Sequence, residues 1–129
     1  MSDHKILIVD DEEDHRFIIG ECLKDSGFTN LAFATSGEEG LKKIGTEQPA
    51  VVLTDTNLGR MNGFEVCRRI KKEHPGIKVV IMTGDARYVD FPKAQSAGAD
   101  EYKVKTGDCG EIIWALRRIT ANLDPEEAA

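Results

Sequence analysis

The chain has 129 residues, 40% hydrophobic and 31% charged, the balance of one globular domain and too little for a second catalytic one. A formal net charge of −6 and a pI near 5.1 argue against nucleic acid as a partner, because phosphate backbones are held by clustered Lys and Arg. Cys22, Cys67 and Cys109 are odd in number and widely separated, so no disulfide framework or CxxC site can be read, and reduced, partly buried thiols are expected.

The N-terminal residues lead into Ile6 to Val9, an apolar run too short for a signal sequence or a membrane span, and the expected compartment is the cytoplasm. The first strand is expected at Ile6 to Asp10. A helix over Glu13 to Asp25 follows, with Ile18, Ile19, Cys22 and Leu23 on one face and Gly27 as its stop. A strand at Asn30 to Ala34 precedes a second helix, whose Ser36 and Glu39 form a capping box ahead of Leu41 and Ile44. The third strand is Val51 to Thr54. The third helix starts near Gly63, carries Phe64, Cys67 and Ile70 on one side, and ends at His74-Pro75-Gly76. Val79 to Met82 is the fourth strand, and a short helix runs from Pro92 to Gly98. The last pair is a strand at Glu101 to Val104 and a helix from Asp108 with the stripe Ile112, Leu116, Ile119 and Leu123.

Five repeats of strand then helix, with Val- and Ile-rich strands, describe an α/β domain: a doubly wound, five-stranded parallel sheet with helices on both faces. Residues 1–123 form the expected domain, and 124–129 a polar tail or the start of a linker. Ligands of such sheets bind beyond the carboxyl ends of the strands. Those ends are polar here: Asp10-Asp11-Glu12-Glu13, Asp55, Thr83-Gly84-Asp85 and Lys105-Thr106.

Crowded carboxylates repel unless a cation neutralises them, and two or three with room for water suit magnesium, so Asp10, Asp11 and Asp55 are the expected ligands. Glu12, Glu13 and Asp14 are read instead as a solvated acidic first turn that complements the helix dipole. Asp55, isolated from other acids along the sequence and following the near-continuous apolar run Ala50 to Leu53, is the candidate acceptor of a phosphoryl group. Lys105 offers a fixed positive charge, Thr83 a hydroxyl, and Gly84 space and a free N–H. The loop Thr56 to Asn62 offers backbone carbonyls to the metal.

These motifs, in order and over nearly the whole chain, resemble the receiver domain of bacterial two-component response regulators. The resemblance rests on Lys5-Ile6-Leu7-Ile8-Val9-Asp10-Asp11-Glu12, on Asp55-Thr56-Asn57-Leu58-Gly59-Arg60-Met61-Asn62-Gly63, on Thr83-Gly84, and on Gly98-Ala99-Asp100-Glu101-Tyr102 ahead of Lys105. It implies the flavodoxin-like strand order 2-1-3-4-5. It makes Asp11 a direct magnesium ligand, Asp10 a ligand through water, Asp55 the phosphorylated residue, the Asn57 carbonyl a metal ligand and Tyr102 the switch aromatic. Asn57 and Asp85 are expected beside the phosphoryl group, where they tune its hydrolysis. The implied partners are a sensor histidine kinase or histidine phosphotransfer protein, with a phosphoacceptor that assists its own reactions rather than an enzyme. Two departures stand out. Thr106 replaces the proline that usually follows the lysine, so the Lys105-Thr106 bond is trans or strained. Gly59 and Asn62 replace a common Pro and Asp and should reshape the loop.

Phosphorylation is expected to draw Thr83 toward Asp55 and let Tyr102 turn, altering the face of the fourth helix, fifth strand and fifth helix. Phe91, Tyr102, Val104 and Ala115 make this a docking or dimer surface; the alternative has Phe91 beneath its own helix and Tyr102 merely half-buried. Trp114 should project outward beside Arg117 and Arg118, and His4, His15 and His74 read as surface histidines. A degenerate receiver that binds a partner without phosphorylation is the competing function. A flavodoxin-like cofactor binder conflicts with Asp10 and Asp11, and an aspartate-dependent phosphatase lacks a cap domain.

Overall fold

Burial on both faces is what makes the strands of this chain near-continuous apolar runs. In the computed structural model, which describes residues 4–84 and 90–123, β1 (Ile6–Val9), β3 (Val51–Asp55) and β4 (Lys78–Thr83) are the most deeply buried elements. With β2 (Leu31–Ala34) and β5 (Glu101–Val104) they form a parallel sheet in the order β2-β1-β3-β4-β5. Alternate residues of each strand feed opposite cores. Leu7, Val9, Val52, Val79 and Ile81 face one side, and Ile6, Ile8, Val51, Leu53, Val80 and Met82 the other.

Two helices cover the second of these cores: α1 (Glu13–Asp25), through Ile19 and Leu23, and α5 (Gly110–Leu123), through Ile112, Leu116 and Ile119. The first core is closed by α2 (Gly37–Glu47), α3 (Gly63–Glu73) and α4 (Phe91–Ala97), which insert Ile44, Phe64, Cys67, Ile70, Ala94 and Ala97. The chain leaves β1 toward β2, then crosses to β3 on the other side. The crevice at the carboxyl ends of β1 and β3 is therefore the switch point where such sheets bind ligands.

The expected caps form with small changes. Ser36 Oγ accepts the Glu39 N–H at 3.0 Å, while the Glu39 carboxylate takes the N–H of Thr35, one residue before the Ser36 cap. Asp90 caps α4, so the helix starts at Phe91 and Pro92 occupies its first turn. The fifth helix starts at Gly110 rather than Asp108, because Asp108 Oδ1 instead accepts from Gly110 N–H and Thr106 Oγ1. Ile18 is 45% exposed, against the expectation that it shares the buried face; the stripe of α1 is narrower, running through Ile19, Cys22 and Leu23. Cys22 and Cys109, far apart in sequence, both pack in the core between α1, α5 and the sheet, and all three thiols are free.

Candidate functional site

Each acidic residue of the site is delivered by the end of a buried strand. Asp10 follows β1 and is fully buried. Its Oδ1 accepts the Glu12 N–H at 3.0 Å, its N–H donates to Ala34 O at 3.1 Å, and its carbonyl accepts from Arg16 at 2.8 Å. Asp55 is the last residue of β3 and is 7% exposed, while Asp11 faces solvent. One carboxylate oxygen from each of Asp10, Asp11 and Asp55 lies within 4.8 Å of the others. Three oxygens at that spacing, one of them open to water, are the donor set a hard divalent cation such as magnesium takes. Burial pushes the Asp55 carboxyl above the usual carboxylate range; the Lys105 ammonium opposes the shift and the Asp10 charge adds to it.

Lys105 follows β5, and its backbone N–H donates to Thr83 O at 2.8 Å, which ties the lysine to the end of β4. Its Nζ lies 2.6 Å from Asp10 Oδ2 and 3.4 Å from Asp55 Oδ2. No cis peptide occurs among the described residues, so the Lys105-Thr106 bond is trans, and the ammonium reaches the acids without the proline. Thr83 is buried at the end of β4, and among the described residues a methyl group on Gly84 would meet no atom within 4 Å. A cavity of about 220 Å³ lies alongside, lined in part by His15, Gly84, Lys105 and Thr106. Asp85 lies outside the described residues.

The loop after Asp55 is anchored by buried Leu58 and exposes Asn57. Gly59 takes φ +82°, a left-handed conformation that proline cannot adopt, so the loop follows a path of its own there. Asn62 caps α3 by accepting the Glu65 N–H at 2.9 Å. At Gly63 helix and strand touch: its N–H donates to Thr56 O at 2.9 Å, and a Cβ there would press into the carbonyl of Asp55.

Tyr102 is half-buried on β5. Its ring meets Phe64 and Phe91 edge-on at 5.9 and 5.4 Å, and its hydroxyl accepts the Asp90 N–H at 3.3 Å. Phe91 is 64% exposed rather than tucked beneath α4. Ala115 is fully buried and cannot form part of the surface, contrary to expectation, because the apolar stripe of α5 is wide enough to include it. Trp114 does project outward, flanked by Lys103 at 4.7 Å and Arg118 at 4.9 Å.

Sequence reasoning missed His15. Rather than a detached surface histidine, it places Nδ1 2.9 Å from Lys105 Nζ and 3.8 Å from Asp10 Oδ2. The signal was available: His15 lies four residues before Ile19 and seven before Cys22, on the face of α1 that meets the sheet.

Acids converge at the switch point, with a lysine and a buried threonine from neighbouring strands, in a doubly wound α/β domain. The family model described as response regulator receiver domain matches residues 6–117, and the chain belongs to that family, the receiver domains of two-component systems. Response regulator GacA of Pseudomonas syringae pv. syringae is 37% identical over 119 residues, 91% of this chain and 55% of that protein. The alkaline phosphatase synthesis transcriptional regulatory protein PhoP of Bacillus subtilis is 34% identical over 115 residues, 89% of this chain and 48% of its own length. The chain thus spans about half the length of these curated relatives. Among solved structures, response regulator TrrA from Thermotoga maritima, in complex with Mg(2+)-BeF, superposes with a TM-score of 0.81 at 30% identity, covering 89% of this chain and 97% of that one.

Proposed function

We propose that residues 1–123 act as a phosphorylation-dependent receiver in which Asp55 accepts a phosphoryl group from a phosphohistidine donor, with magnesium held by Asp10, Asp11, Asp55 and the Asn57 carbonyl. One observation carries this reading: acids from β1 and β3 meet within 4.8 Å around an ammonium from β5. The likeness to TrrA, bound to Mg(2+)-BeF, supports the same ion.

In the reaction an Asp55 carboxylate oxygen attacks phosphorus, the N–P bond to the donor imidazole breaks, and the imidazole leaves with a proton. When bound, magnesium supplies charge compensation for the phosphoryl oxygens. Lys105 neutralises the oxygens on the side of β5, Thr83 donates its hydroxyl, and Gly84 admits the donor. Water later attacks the acyl phosphate and resets the domain. Among the described residues no helix is long and apolar enough to cross a membrane. The donor is read as a sensor histidine kinase or histidine phosphotransfer protein in the cytoplasm.

The output is read as the face of α4, β5 and α5. Movement of Thr83 toward a phosphorylated Asp55 frees space for the Tyr102 ring to turn from its contacts with Phe64 and Phe91, changing a surface for a partner or a second copy.

Acetyl phosphate with magnesium should give a single phosphoryl adduct by intact mass, absent in Asp55→Asn. An adduct that persists in that variant moves the acceptor elsewhere. No adduct from acetyl phosphate or a cognate phosphohistidine donor makes the domain a phosphorylation-independent binding module.

A further inference from the structure

An ammonium has three N–H donors and no lone pair. Among the described residues three acceptors stand around Lys105 Nζ: Asp10 Oδ2 at 2.6 Å, His15 Nδ1 at 2.9 Å and Asp55 Oδ2 at 3.4 Å. Because the lysine can only donate, a hydrogen bond between the two requires His15 to accept at Nδ1 and to carry its ring proton on Nε2. That atom lies 3.0 Å from Glu12 Oε2, a carboxylate able to receive it. Glu12 in turn donates its backbone N–H to Asp10 Oδ1 at 3.0 Å, which closes a circuit around the end of β1. Residue 106 takes no part, since the Thr106 hydroxyl is turned to Asp108 Oδ1 at 2.8 Å.

We propose that His15 is the positioning residue for Lys105, holding its ammonium over the gap between Asp10 and Asp55. The inference rests on the reading of Asp55 as phosphoacceptor. Of the three acceptors, both carboxylates belong to the candidate metal set. Magnesium prefers oxygen to imidazole nitrogen, so the His15 contact does not compete with the ion for its ligands. It is the anchor that stays available to Lys105 when the acids are engaged.

The test uses His15→Ala, which removes the acceptor, and His15→Asn, whose Oδ1 stands as many bonds from Cβ as Nδ1 does. With acetyl phosphate and magnesium, His15→Ala should slow adduct formation roughly tenfold, the effect of one lost hydrogen bond to a charged group, while His15→Asn stays within about threefold of wild type. In a Lys105→Met background His15→Ala should slow the residual reaction no further. A second readout needs neither metal nor phosphoryl donor: nitrogen NMR of the apo protein should show the Nε2–H tautomer, with the Nδ1 resonance moved by Lys105→Met. A wild-type rate in His15→Ala, an undiminished effect without Lys105, or an Nδ1–H tautomer would each overturn the proposal. Failure of the wild-type protein to take up phosphoryl at Asp55 would instead refute the function, with the tautomer still judging the contact.

Discussion

Gly63→Ala tests how tightly the acceptor strand is locked to α3. A Cβ on Gly63 would stand 2.9 Å from the Asp55 carbonyl carbon, 3.1 Å from Thr56 Cα, and closer still to the Asp55 carbonyl oxygen. All three are backbone atoms, so no flexible side chain can swing away; either the start of α3 or the end of β3 must retreat. Overpacking of this kind costs about 1–3 kcal/mol, and rigid neighbours place the expected loss near 2 kcal/mol. For a domain of this length that lowers the thermal midpoint by roughly 6–10 °C. Because the displaced carbonyl belongs to Asp55 itself, phosphoryl uptake should slow by at least about tenfold even in the folded fraction, since misplacement of a reacting group by an ångström can cost a hundredfold. Gly45→Ala is the control. Gly45 lies in α2 with nothing within 4 Å of its Cβ position, so the substitution should stabilise by about 0.5–1 kcal/mol and leave uptake unchanged. Urea denaturation and adduct formation by intact mass measure both variants. A Gly63→Ala protein with wild-type midpoint and wild-type rate would refute the packing argument.

Magnesium should stabilise the fold, by about 2.7 kcal/mol at a hundredfold excess over its dissociation constant, with loss of the effect on chelation. Asp11→Ala should abolish that protection while changing the metal-free stability by less than about 0.5 kcal/mol, because Asp11 faces solvent; full protection in the variant would remove Asp11 from the ligand set. Burial holds the Asp55 carboxyl above its ordinary value of 3.8, so the folded state binds the extra proton and stability falls as pH rises from that value through the raised folded one. Metal-free Asp55→Asn should therefore be more stable than wild type near neutral pH, and equal or lower stability by denaturation would contradict the sign. Burial pushes the Cys67 and Cys109 thiols up to about 12, so a thiol reagent at pH 8 should modify half-buried Cys22 well before either. Peptide mapping after brief labelling checks the order, and early modification of Cys67 would be inconsistent with its burial.

Much of the molecule was legible in the chain because local signals and global packing agree. The bounds of α1 were readable from its apolar spacing and the glycine after it. Asp10 and Asp55 were readable as site residues because Asp10 directly follows an apolar run and Asp55 follows one after a single threonine, each at the carboxyl edge of a strand buried on both faces. Ile18 was misplaced, since an apolar side chain at helical spacing does not reveal how wide a stripe the sheet covers. Ala115 was misplaced for the complementary reason: a small residue carries no sign of whether a neighbour will close over it.

Pattern along the polymer was enough to determine the alternation of strands and helices, the acidic character of one sheet edge, and the residue types able to take part in phosphoryl transfer. Only the tertiary structure decided which acceptors share the Lys105 ammonium, that His15 is among them, and that Gly63 lies against the carbonyl of the acceptor residue. Lys105 and Asp10 are separated by 95 positions, and their separation of 2.6 Å follows from the parallel order that brings the end of β5 over the switch point beside β1. Composition and periodicity set which face of an element is buried; the ångström distances between groups on different elements come from how those faces pack.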